Sequence, residues 1–384
     1  MKNTRAYTTG AAIAIFVVLI CALILRLYDL NKYDLWFDEQ GTDMFALENL
    51  VQTAALSGVP ASSVMVDNMK NDPHSSLYYL FVYAYSAVFG GGRSLRVLSV
   101  LFSMLSLGLF YRLSRLLFNR NTSMYALVIM AFSPFHLWYA QEARVYATAC
   151  FFSLLLVYVY MQALKTGRRF YWISFPVAGI LAIFLSYYSG LLFITTGAAL
   201  FFRRNRRYVK KWILSLFAVS IFFLFFRHLL IAQVSFVRNS FWLPFPSGTA
   251  LLFTWKFFSL GYSATPIQYQ IGLLLFFPLF GYGAYFYYRR NKVNTIILLL
   301  LLFLPIIATY IFSKLIRPVY IHRQLIIFSP IYYLFIAKGI ESIGHKRIQI
   351  VAIVSVVALM TGSLINYYRG YMFPYRERGN VFLG

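Results

Sequence analysis

The chain has 384 residues, of which 60% are hydrophobic and 20% aromatic, and 35 Lys and Arg outweigh 11 Asp and Glu to give a formal net charge of +24. A soluble domain holds roughly 45–50% apolar residues, so this composition excludes one and specifies an integral membrane protein. The positive charge does not point to nucleic acid, because the basic residues sit in short clusters between long apolar runs and so encode topology.

Apolar runs close to the ~20 residues that cross a bilayer as a helix recur along the whole chain, and the period-2 alternation of a membrane barrel is absent. The expected fold is an all-α polytopic bundle, one integral domain over 1–384, with about eleven spans near 8–28, 94–117, 122–140, 145–164, 170–186, 188–202, 212–231, 270–288, 294–313, 324–340 and 348–367. Basic clusters at Arg112/Arg115/Arg120, Lys165/Arg168/Arg169, residues 203–211, Arg289/Arg290/Lys292 and Lys338/Lys346/Arg347 alternate with loops poor in Lys and Arg. The positive-inside rule then leaves the N-terminus inside and the C-terminus outside, with 368–384 as a short extracytoplasmic tail. The first run lacks a small-residue cleavage site and reads as a retained span. Cys21 and Cys150 both fall within spans, so no disulfide framework is indicated.

After the first span comes "LWFDEQGTDMF" (35–45), and eight of the eleven acids (Asp29, Asp34, Asp38, Glu39, Asp43, Glu48, Asp67, Asp72) lie in this first outer loop, residues 28–93. The loop is too long to be a plain connector. Asp29, Asp34, Glu48 and Asp67 read as solvated filler. Asp38 and Glu39 are bracketed by Leu35, Trp36, Phe37 and Phe45, a setting that holds carboxylates at a membrane interface, partly desolvated and able to act as bases. "NDPHSSLYY" (71–79) brings Asp72 and His74 to the same surface, where Asp-x-His is a weak metal signal. Residues 77–89 are too few to span and are expected as an interfacial or re-entrant juxtamembrane helix, with "GGGRS" (90–94) as the hinge into the next span.

Farther along, "FHLWYAQEARVYA" (135–147) puts Glu142 and Arg144 in the outer compartment, with helix-end capping as the plain structural reading. Residues 170–202 lie between basic clusters and must cross twice or not at all, with "SYYSG" (186–190) as the turn. Arg227 and His228 stand deep near the end of their span. Arg317, whose plain reading is an interfacial anchor, and Arg323 occur in "RPVYIHRQLIIFSP".

The segments "LWFDE", "DPHSSLYY", "RSLRVLSVLFSMLSLGLFYRLSRLLF", "SPFHLWYAQEARVYA" and "RPVYIHRQLIIFSP" resemble, in order and spacing, bacterial GT-C membrane glycosyltransferases of the family 39, protein O-mannosyltransferase-like type. The resemblance covers most of residues 30–335. It implies an enzyme that takes a sugar from a polyprenyl-phosphate carrier on the outer face of the plasma membrane and gives it to an acceptor hydroxyl. It also implies that Asp38 matches the catalytic acid, Glu142 the second acidic site and Arg323 the arginine near the donor phosphate. The chain departs from that pattern at Ser75 and Ser76, which replace two prolines after His74, and at His322 and Gln324, which replace Pro and Tyr. It also stops at Gly384, where many relatives continue into a soluble domain, so acceptor choice is expected to rest on the bundle or on a partner.

The chemistry calls for the same residue types independently. Displacing a phosphate from an anomeric carbon needs a base within hydrogen-bond reach of the acceptor hydroxyl, the role read for Asp38, with Glu39 and Glu142 as accompanying acids. The departing phosphate suits an Arg fork, for which Arg323, Arg144 and Arg317 are candidates. Asp72 and His74 form a candidate acceptor or metal site. No organic cofactor motif occurs; a divalent cation could bridge Asp38, Glu142 and His74, though no spacing compels it. Expected partners are a polyprenyl-phosphate-linked sugar, a glycan, lipid or protein acceptor, and membrane lipids. Two alternatives stand beside this reading: a polymerase or ligase of lipid-linked glycans, and a transporter or flippase of lipid-linked sugar, which would place ionisable groups such as Arg227 and His228 at depth.

Overall fold

The computed structural model describes residues 2–72, 76–240 and 243–371, and among them every regular element is helical. The first run forms α1 (Lys2–Leu27), whose last turn carries a fully buried Arg26. Its Nε donates to Ser103 Oγ at 2.8 Å, and its Nη1 to the carbonyls of Ala22 and Ala131 at 3.0 and 3.1 Å. A charge inside a helix bundle persists only where such partners absorb it.

The outer loop folds into α2 (Phe37–Asp43), α3 (Leu47–Ser57), α4 (Ala61–Lys70) and α5 (Ser76–Phe89). With 14 residues, α5 is about 21 Å long, short of the ~30 Å hydrocarbon core. Phe45 stacks on Tyr79 with ring centroids 3.6 Å apart, clasping the start of the loop onto α5. At the hinge, Gly91 N donates to Glu48 Oε1 at 2.9 Å and Gly92 N to Asp43 Oδ1 at 2.6 Å. A Cβ at Gly91 would meet the same two carboxylates at 2.5 and 2.8 Å, so the turn requires glycine there. Glu48, expected as filler, is therefore a fastener of the hinge.

The chain continues as α6 (Leu95–Leu117), α7 (Arg120–Ala131) and α8 (Pro134–Ala140). The run expected as one span over 122–140 is broken at Ser133: Pro134 brings no N–H to the ladder, and the Ser133 hydroxyl accepts from His136 N at 3.3 Å as the cap of a new helix. Next come α9 (Tyr146–Thr166), α10 (Arg169–Leu185), α11 (Tyr188–Thr196) and α12 (Val209–Phe225). The run expected over 212–231 stops at Phe226, and α13 (Arg227–Ser240) turns away to lie on α4, where the buried Gln233 donates to the Met69 carbonyl at 2.9 Å. Arg227 and His228 are thereby exposed at the break and not deep in a span.

An unexpected short apolar helix follows, α14 (Ala250–Leu260), and then α15 (Pro266–Arg290), α16 (Lys292–Leu315), a 3₁₀ segment (His322–Phe328), α17 (Ser329–Ser342) and α18 (Lys346–Tyr368). Among the described residues, seven stretches can cross a membrane by length and composition: 92–117, 146–166, 203–225, 266–290, 292–315, 322–342 and 346–368. The other expected runs fall short of that criterion, α7 and α8 through their break, α10 and α11 through their length, and α1 as Ala12–Leu27. Of the seven, α9 and the 322–342 stretch are the most enclosed by protein, and 203–225 and α18 the most open at their flanks.

The backbones of α15 and α17 approach closely where they cross. A Cβ at Gly283 would lie 1.8 Å from the Phe335 carbonyl oxygen, and one at Gly339 would lie 2.0 Å from that of Leu279. Such approach through small residues drives helix association in lipid, where no hydrophobic effect separates helix from solvent. Gly283→Ala should therefore cost about 1–3 kcal/mol by forcing the helices apart, seen as a fall of several degrees in the thermal midpoint of the detergent-purified protein. Gly281→Ala on the same helix, with nothing within 4 Å of its Cβ, should leave the midpoint unchanged; equal effects of the two would contradict the close crossing.

Candidate active site

The site begins where α1 ends. Gln141, at the end of α8, offers its Nε2 to the carbonyls of Leu25, Arg26 and Tyr28 at 3.3, 3.0 and 2.8 Å, which α1 leaves without intrahelical donors, and its Oε1 accepts from Tyr367 at 2.8 Å. One amide thus fixes α1, α8 and α18 together.

From there the chain passes through turns and bends over residues 28–33 to Trp36, which caps α2, and Asp38 and Glu39 fall in the first turn, where acids suit the helix dipole. Successive residues on a helix diverge by about 100°, and the two carboxylates have different surroundings. Glu39 is fully buried: its Oε1 accepts from Arg96 Nε at 2.9 Å and from Ala143 N at 2.7 Å, and its Oε2 from Arg96 Nη2 at 2.6 Å and Trp36 N at 3.3 Å. Arg96, also fully buried, gives its remaining donors to the carbonyls of Leu30, Tyr33 and Asp34 at 2.9, 2.9 and 3.0 Å. The expected catalytic acid Glu39 is thus the anchor of the loop, closed to a reactant.

Asp38 faces the other way. Its Oδ2 accepts from Arg323 Nη1 at 2.7 Å, and both side chains keep 17% of their surface exposed. The Arg323 guanidinium lies 5.8 Å from the centroid of the Tyr146 ring, a cation–π arrangement. Arg144 supports Asp38 from behind: its Nη1 donates to the Asp38 carbonyl at 2.8 Å and to Thr42 Oγ1 at 3.0 Å. Burial opposes the charge of Arg144, but the Asp38 carboxylate, with Tyr79, Tyr146 and Asp72, outweighs it and holds the guanidinium well above arginine's ordinary value. Arg144 is therefore a fixed cation. The Tyr79 phenol is pushed well up by burial, and the neighbouring Asp72 carboxylate adds to this, so Asp72 belongs to the same cluster.

The other expected residues take separate places. Glu142 is buried, and its Oε1 accepts from Trp138 Nε1 at 2.8 Å. Arg317 is half-buried just past α16, its backbone N–H closing that helix on the Phe312 carbonyl at 3.2 Å. His74 lies outside the described residues. Among the described residues no three His, Cys, Asp or Glu side chains converge as metal ligands. His322 anchors α14 by donating Nε2–H to the Ala250 carbonyl at 3.1 Å. Sequence reasoning missed Arg96 and Gln141. The signal for Arg96 was present: an ionisable group one turn inside an apolar run demands a named partner.

A sequence family described as dolichyl-phosphate-mannose-protein mannosyltransferase matches residues 74–231, a stretch that contains Glu142 and Arg144 but neither Asp38 nor Arg323. No curated protein matches the chain in sequence. Among solved structures, ArnT from Cupriavidus metallidurans superposes in its apo state with a TM-score of 0.59 at 12% identity, covering 97% of this chain and 78% of ArnT. Its form bound to undecaprenyl phosphate gives a TM-score of 0.58, also at 12% identity, with 97% and 77% covered. The oligosaccharyltransferase AglB from Archaeoglobus fulgidus, in complex with an inhibitory peptide and a dolichol-phosphate, gives 0.53 at 11% identity over 94% of this chain, which spans about half of AglB, 55%. The chain therefore has the GT-C fold.

Removing one partner of a buried ion pair leaves the other uncompensated, typically at a cost of about 3–5 kcal/mol. Glu39→Gln should accordingly lower the unfolding midpoint of the purified protein far more than Asp38→Asn, whose partner Arg323 reaches solvent. Equal midpoints for the two variants would remove Glu39 from its anchoring role.

Proposed function

We propose that this chain is a membrane glycosyltransferase that moves a monosaccharide from a polyprenyl-phosphate carrier to an acceptor hydroxyl on the extracytoplasmic face, with Asp38 as general base. The observation that carries this reading is the Asp38–Arg323 pair, half-open at 2.7 Å: a carboxylate that can take a proton beside a guanidinium that can hold a phosphate. The GT-C fold and the relatives captured with undecaprenyl phosphate and with a dolichol-phosphate support a lipid phosphate as the donor carrier.

In this reading the acceptor oxygen attacks the anomeric carbon from the face opposite the phosphate and its proton passes to Asp38. The bond from that carbon to the phosphate oxygen breaks, and the polyprenyl phosphate leaves. One displacement inverts the anomeric centre. Arg323 stabilises the charge growing on the phosphate, and Arg144, fixed against the Asp38 backbone, keeps the base in register.

The pair also raises a difficulty, which the same geometry resolves. A carboxylate bonded to Arg is held in its ionised form and is a weak base. When a donor phosphate arrives, the fork of Arg323 turns to it, Asp38 gives up that bond, and its basicity rises in the ternary complex. The base is thus stronger when donor is present. The extracytoplasmic assignment follows from charge. Asp38, Asp72 and Arg323 gather at the end of the bundle where α6 and α9 begin, while Arg115 and Lys165 mark the end where those helices stop. The transporter alternative drew on Arg227 and His228, and their exposure at the α12–α13 break removes that support.

Purified protein given radiolabelled polyprenyl-phosphate sugars and candidate acceptors tests this. Asp38→Asn should reduce transfer about 10²- to 10⁴-fold with donor binding retained, and Arg323→Ala should raise the donor requirement and lower turnover together. Arg323→Lys should not restore the wild-type rate, because a point charge lacks the bidentate fork. Near-normal transfer by folded Asp38→Asn would shift the base to Glu142.

A further inference from the structure

The opposite end of the bundle carries a second constellation. Where α6, α9 and α15 end and α7 begins, a cleft of about 350 Å³ is lined by Arg115, Lys165, Arg290, Lys338, Asn119 and Thr122. With 23 residues, α6 places this cleft roughly 33 Å from the acid cluster at 1.5 Å per residue, which is the level of the other leaflet's headgroups.

Cations at helix C-termini have two ordinary uses, offsetting the helix dipole and marking the cytoplasmic side, and Lys165 and Arg290 serve both. Three features go beyond those uses. Lys338 is buried, in the interior of α17, and pairs with Glu341, which also accepts from Asn119 Nδ2 at 2.7 Å, so the carboxylate beside the cleft is already neutralised. Arg115 and Arg290 are exposed and form no hydrogen bond or ion pair among the described residues, leaving two free forks at one concavity. At its third side the wall is apolar, formed by Leu116, Leu117 and Phe118. Two unpaired guanidinium groups beside an apolar wall suit a phosphate, which each planar fork can bind bidentately.

We propose that this cleft binds a phosphate group, carried by an anionic lipid headgroup of the adjoining leaflet or free in solution, with Arg115 and Arg290 as its forks. The lipid is the source the position favours, since the cleft lies at headgroup depth and Leu116, Leu117 and Phe118 form an apolar side for acyl chains. The site is distinct from the proposed donor phosphate site at the other end of the bundle and does not rest on it.

Native mass spectrometry of the purified chain titrated with dioleoyl phosphatidylglycerol, dioleoyl phosphatidylcholine or inorganic phosphate tests the proposal. Binding of the first phosphatidylglycerol should be tighter than that of phosphatidylcholine and should weaken about tenfold or more in Arg115→Gln/Arg290→Gln, since each juxtamembrane cation contributes about 1 kcal/mol to an anionic lipid. Arg203→Gln/Arg204→Gln, which removes equal charge from an exposed stretch outside the cleft, should leave it unchanged. If inorganic phosphate binds with the same dependence on Arg115 and Arg290 while phosphatidylglycerol shows none, the source is the free anion and the site stands. Equal loss in the Arg203/Arg204 control, or no dependence on Arg115 and Arg290 for either probe, overturns it.

Discussion

The buried pair of Glu39 and Arg96 is the interaction on which the arrangement of this protein turns. It joins three stretches far apart in sequence: the loop after α1, whose carbonyls at Leu30, Tyr33 and Asp34 take the guanidinium; the start of α6; and the turn after α8, whose Ala143 N–H reaches the carboxylate. Desolvating two charges costs more than a well-packed apolar pair would, so such a bridge is weak support for stability as such. Its consequence is register. With both oxygens of Glu39 committed, α2 has one orientation, and the neighbouring Asp38 is delivered to the open side where Arg323 waits.

The same division of labour runs through the surrounding polar groups. Gln141 closes the end of α1, Arg26 satisfies the carbonyl freed where α7 breaks, and Arg144 grips the backbone of Asp38. Gln141 and Arg26 are long polar side chains in an apolar bundle, and each holds a backbone carbonyl that lacks a helical partner, the condition under which irregular backbone persists at membrane depth. The Asp38–Arg323 pair is left partly exposed at the mouth, where in the proposed mechanism a phosphate competes for the guanidinium. Acids collect at this end of the bundle and bases at the other, so the two ends offer different chemistry to ligands arriving from opposite sides.

Much of this was legible in the sequence. The apolar runs gave an all-helical membrane bundle, and the concentration of acids after the first run gave the loop that carries Asp38. The breaks were less legible, although their signals were local. Ser133-Pro134 has a cap and an N–H-deficient first residue, yet a hydropathy window reads through both. The run past Phe226 was extended for the same reason, which buried Arg227 and His228 on paper and left α13 and α14 unseen. What the sequence could not supply is the partnership of residues far apart along the chain. Nothing local distinguishes Asp38 from Glu39, and only the placement of Arg96 and Arg323 in three dimensions makes one a buried fastener and leaves the other partly exposed. Arg323 could be nominated by chemistry alone, but its bond to Asp38 depends on how the 3₁₀ segment His322–Phe328 enters the bundle.

In the proposed mechanism, the transfer of Arg323 from carboxylate to phosphate is the step that links the folded site to its chemistry. A structure of the chain with a bound polyprenyl phosphate observes it directly. The phosphate oxygens should lie within hydrogen-bond distance of the Arg323 guanidinium, with the Asp38 carboxylate released from it and Glu39 still bonded to Arg96. A phosphate bound elsewhere, with the bond between Asp38 and Arg323 intact, would contradict the assignment of both residues.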